Sequence, residues 1–91
     1  MRALLYNQFK FYTIMTNYRT IVTFKNGTHK ILRMTRDLIA KFVTLFREMQ
    51  KNPFNDLYAW NMPGDEYLLM NRISNVKFID EYTGEEYLSL Q

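Results

Sequence analysis

Two β-prone runs, "RTIVTF" and "THKILRM", flank Lys25-Asn26-Gly27, and an amphipathic stretch follows at once. No other segment restricts the fold as much. Asn-Gly accepts the positive φ that both central positions of a type I′ turn need, so the chain is predicted to reverse here as a hairpin. A two-residue turn at Asn26-Gly27 sets Phe24 opposite His29, Val22 opposite Ile31 and Ile21 opposite Leu32. Alternation then puts Tyr18, Thr20, Val22, Phe24, His29, Ile31 and Arg33 on one face. Arg19, Ile21, Thr23, Lys25, Lys30, Leu32 and Met34 take the other. The first set is the more apolar and is expected to meet the core. The second gathers the cations Arg19, Lys25 and Lys30 around a short Ile21–Leu32 stripe.

A helix is predicted over residues 36–51. Thr35 has the side chain of an N-cap, and Asp37 suits the positive end of the helix dipole. Met34 and Ile39 occupy the positions of a hydrophobic staple. Leu38, Ile39, Phe42, Leu45, Phe46 and Met49 recur at three- and four-residue spacing and form one apolar stripe. Asn52-Pro53 closes the helix, because proline disfavours helical geometry in the residue before it. The stripe is expected to cover the Val22/Phe24/Ile31 side of the hairpin.

Beyond the helix, Met62-Pro63-Gly64-Asp65 has the order of a type II turn. That turn twists poorly for a tight hairpin, so Leu57–Asn61 is expected to be irregular and Glu66–Met70 a strand. "NRISN" reads as a polar bend, "VKFIDEY" as a strand, and "EEYLSL" as a short terminal strand after Thr83-Gly84. Residues 1–14 fit either an N-terminal extension or an extra edge strand; residues 15–91 form a single domain. The expected fold is α+β: an antiparallel sheet of four to five strands with one long helix packed on one face, in ββαβββ order.

A 91-residue chain buries roughly 60–65% of its unfolded surface, enough for one core without staples. There is no cysteine, which removes disulfides, thiolate nucleophiles and the usual zinc and iron–sulfur ligands. No apolar run approaches the ~18 residues that cross a bilayer, and the start "MRALLY" breaks at Asn7-Gln8 before a signal-peptide core develops. The expectation is a cytoplasmic protein without membrane contact. Charge is uneven: residues 1–51 hold ten Lys/Arg against Asp37 and Glu48, and residues 52–91 hold two against seven acids. Such halves either neutralise each other within one fold or mark a surface for an acidic partner.

Chemistry-bearing constellations are few. His29 is the sole histidine, with no second ligand at metal spacing and no local nucleophile-and-carboxylate set. Asp65-Glu66, Asp80-Glu81 and Glu85-Glu86 are neighbours in sequence, and neighbours on a strand point to opposite faces. The three glycines fall at turns, not in a phosphate-cradling loop. These features argue against an enzyme and call for no cofactor or metal.

Two binding readings follow. Tyr58, Trp60, Met62 and Tyr67 concentrate the aromatic and apolar side chains that favour protein interfaces; the competing reading of Trp60 is a plug in the core. Arg19, Lys25 and Lys30 instead suit sequence-independent nucleic-acid contact, though with no aromatic beside them. Self-association is a third route, since exposed sheet edges pair readily. The order "TIVTFKNG", helix, "RISNVKFID" resembles small uncharacterised phage and mobile-element proteins of Gram-positive bacteria. That resemblance implies an accessory protein without an active site. Its sharpest form is antagonism of host defence, as anti-CRISPR proteins achieve, in a bacterial host cell.

Overall fold

The computed structural model describes residues 17–62 and 64–91. The alternatives for residues 1–14 lie outside the described residues. The fold is α+β, with strands β1 (Tyr18–Phe24) and β2 (His29–Met34), helix α1 (Arg36–Lys51), and strands β3 (Ala59–Met62) and β4 (Glu66–Leu69). A 3₁₀ turn (Met70–Arg72) leads into β5 (Ile73–Asp80) and then β6 (Glu86–Leu90). One antiparallel sheet has the order β2-β1-β5-β6, and β3-β4 makes a separate two-stranded ribbon.

The hairpin forms, one residue out of the expected register. Gly27 N–H donates to Phe24 O and Phe24 N–H to Thr28 O, both at 2.9 Å, so the loop holds Lys25, Asn26 and Gly27. Only Gly27, at φ 88°, takes the left-handed conformation there, as in a type I turn closed by a glycine bulge. Asn26 instead folds its side chain back, its Oδ1 accepting from Thr28 N–H at 3.0 Å and Thr28 Oγ1 at 2.7 Å. Thr23 therefore faces His29, Val22 faces Lys30 and Ile21 faces Ile31. Because side chains alternate, this single step turns β2 over relative to β1. Lys30, Leu32 and Met34 share the helix side with Tyr18, Thr20 and Val22, while Ile31 and Arg33 point away; this corrects the expected placing of Ile31 under the helix.

Two further expectations give way. Ala59–Met62 is a regular strand paired with β4, from Ala59 opposite Leu69 to Met62 opposite Glu66. Gly64 (φ 83°) and Asp65 (φ 59°) are both left-handed, and Asp tolerates that region through its short polar side chain. The extra loop residue relieves the twist mismatch. Ile73-Ser74-Asn75 belongs to β5 rather than to a polar bend, because Ile73 is buried and pairs across from Phe24.

The helix lies where its stripe requires. The Thr35 hydroxyl accepts from Leu38 N–H at 3.4 Å and Thr35 O from Ile39 N–H at 2.9 Å. Ile39, Phe42, Phe46 and Met49 are buried against Val22, Met34, Val76, Phe78 and Leu90. Phe42 is the centre of the core, meeting the Trp60 ring edge-on at 5.2 Å and the Phe78 ring edge-on at 6.0 Å. One polar side chain sits among them: Thr20 is fully buried, and among the described residues its hydroxyl has no partner.

Candidate binding surfaces

The helix covers one face of the four-stranded sheet. On the other face, register sets the rows. Ile31, Ile21, Lys77 and Ser89 lie side by side across the four strands, and Arg33, Arg19, Ile79 and Glu86 make the next row. Ile21 and Ile31 are direct cross-strand neighbours and Ile79 is diagonal to Ile21, so three aliphatic side chains adjoin. Ile31 is 64% exposed. Arg19, Arg33 and Lys77 border the aliphatic centre, all exposed. Arg33 Nε donates to Glu81 Oε1 at 2.8 Å, a surface pair that contributes about 0–1 kcal/mol. His29 Nδ1 and Thr23 Oγ1 lie 3.0 Å apart at the end of this face and tie the two strands together.

A second feature is a groove of about 660 Å³ at the hairpin tip, between the Lys25–Thr28 turn, the β3-β4 ribbon and the 3₁₀ turn. Lys25 N–H donates to Arg72 O at 2.9 Å, which pins the tip against the 3₁₀ turn and forms one wall. Lys25, Lys30 and Arg72 line the groove with a single carboxylate, Glu66. Lys30 Nζ meets Glu66 Oε2 at 3.1 Å. Tyr67, 67% exposed, is on the ribbon side of the lining. Asn71, also on the lining, gives its NH₂ to Asp56 Oδ1 at 2.6 Å, while its own carbonyl oxygen is buried without a donor.

The sequence-predicted residues are thus redistributed. Arg19, Lys25 and Lys30 do not share a face: Arg19 is on the open sheet, Lys25 in the turn, and Lys30 on the helix side. The one-residue register change is the reason, and it brings Arg33 beside Arg19 instead. Trp60 packs edge-on against Phe42, and Tyr58, half-buried, has its carbonyl bound by Met70 N–H at 2.9 Å. Met62 and Tyr67 reach the groove, where they join Lys25 and Lys30. Arg72 was missed because only the fold brings it beside Lys25. Phe54 and Leu57, 98% and 86% exposed in the loop after the helix, were also missed; their lack of periodicity with the helix stripe was the available signal.

At the far end of the sheet, Arg36 Nε donates to the Tyr18 hydroxyl at 2.9 Å and its guanidinium lies over the Tyr87 ring at 5.1 Å. The hydrogen bond to Tyr18, more than any other influence, raises the Arg36 pKa. Among the described residues there is no cluster of three or more metal-ligating side chains, and no helix is long and apolar enough to cross a membrane.

No protein-family model, curated protein or solved structure matches this chain.

Proposed function

We propose that this protein is a small non-catalytic binding module that acts through contact with another protein, with the open sheet face as its contact surface. The observation that carries the reading is the Ile21/Ile31/Ile79 centre bordered by Arg19, Arg33 and Lys77. The solvent face of an antiparallel sheet normally reads polar. An aliphatic centre inside a charged rim instead matches the anatomy of a protein interface, and Arg19 and Lys77, which enter no ion pair among the described residues, favour an acidic partner despite Glu81 and Glu86 nearby. The resemblance of "TIVTFKNG" and "RISNVKFID" to phage and mobile-element proteins extends the proposal: the partner is a host nucleic-acid-handling or defence complex in the bacterial cytoplasm.

The test is capture from lysate of the cell of origin, with partner identification by mass spectrometry and a direct binding measurement on the purified partner. Ile31→Asp and Arg19→Glu are expected to weaken that binding at least tenfold, about 1.4 kcal/mol or more. Retained affinity in both variants, or loss on Phe54→Ser instead, overturns this surface. A concentration-dependent dimer that Ile31→Asp dissolves, with no other partner, makes the occupant a second copy.

A further inference from the structure

We infer that the groove at the hairpin tip is a binding site for a nucleotide unit: a phosphate group carried together with a planar base. The site is on the helix side of the sheet, and the inference stands whether or not the open face binds a protein.

Two chemical features converge there. First, charge: Lys25, Lys30 and Arg72 face one carboxylate, and that carboxylate is engaged by Lys30 at 3.1 Å. Among the described residues Lys25 and Arg72 enter no ion pair, so two cations on one wall are available to an anion. Arginine and lysine together suit phosphate, the first by its planar fork and the second as a mobile point charge. Second, shape: Tyr67 belongs to the groove lining and is 67% exposed, so its ring is free to close over a bound group, and every base has a π-face to lay on it. At about 660 Å³ the groove falls inside the usual range for small-ligand sites, roughly 300–1,000 Å³.

A nucleotide can arrive free or within a single strand, and the two sources share this chemistry. Calorimetric titrations of the full chain with AMP, pyrophosphate, the oligonucleotide dA12 and a glutamate-rich peptide distinguish them. AMP is expected to bind and pyrophosphate to bind more weakly. Lys25→Glu combined with Arg72→Glu should lower AMP affinity by about tenfold or more, with the far-UV circular dichroism unchanged because both side chains are exposed. Tyr67→Ala should weaken AMP by roughly fivefold to a hundredfold, leave pyrophosphate unaffected, and be rescued by Tyr67→Phe. A tighter, steeply salt-dependent dA12 complex names a strand as the source; equal affinities per site name the free nucleotide. No binding of AMP or dA12 at roughly 1 mM, binding indifferent to the double charge reversal, or tighter binding of the acidic peptide than of either nucleotide overturns the inference.

Discussion

The two faces of the β2-β1-β5-β6 sheet are built from the same strands yet obey different rules. Under the helix, Val22, Val76 and Phe78 are sealed from water by Phe42 and Phe46, and close packing makes every methylene there felt. On the opposite face, one position along the same strands, Ile31 is exposed and Ile21 and Ile79 are half-buried, and no helix among the described residues lies over them. Identical residue types therefore sit in different surroundings: on one face a buried aliphatic holds the fold, and on the other it is the centre of the proposed contact surface. The comparison shows that hydrophobic content alone does not assign a strand position to core or interface; the phase of the strand does.

The largest test of that contrast removes the centre of the covered face. Phe42→Ala is expected to lower stability by about 3–5 kcal/mol, read by urea denaturation with the slope checked for two-state behaviour. A loss below roughly 1 kcal/mol would mean that the helix is not seated on Phe78 and Trp60 as described. The register of β2 is the next target. Leu32→Asp, on the helix side, should destabilise by roughly 2–4 kcal/mol, whereas Ile31→Asp, its chain neighbour, should stay near 1 kcal/mol or less. The reverse order would restore the two-residue turn and turn β2 back over. The smallest effect sharpens the covered face instead of breaking it. Thr20→Val keeps the branched shape and deletes the buried hydroxyl that has no partner among the described residues, so a gain of about 1 kcal/mol is expected. A thermal midpoint that falls would point to a hydrogen bond at Thr20 Oγ1.

Much of the covered face was legible from local chemistry. Thr35, Asp37 and Asn52-Pro53 bound the helix, and the Ile39/Phe42/Phe46/Met49 stripe identifies its buried side without any tertiary information. The strand phase of β1 was equally clear. The hairpin turn was recognised at the right residues but not resolved, because Asn26-Gly27 serves a two-residue and a three-residue loop alike. The discriminating signal lay further along β2: Leu32 and Met34 share a phase, against Ile31 alone in the other. Matching that stronger apolar phase to Val22 selects the register the structure has. The groove was less accessible, since its walls come from residues 24–30 and 62–72, brought together by long-range packing. Phe54 and Leu57 fall outside the helix stripe's periodicity, a hint of exposure that the coordinates turn into 98% and 86%.

β1 occupies an inner position of the sheet, flanked on one side by its chain neighbour β2 and on the other by β5, with Tyr18 opposite Asp80. During synthesis β1 meets β2 almost at once, yet among the described strands its second hydrogen-bonding edge finds its partner only when β5 has been made. The interval leaves a β-rich segment with an open seam, and distant strand pairing of this kind is slow to form. Nascent chains stalled before residue 80 should therefore be the species that chaperones hold and proteases cut.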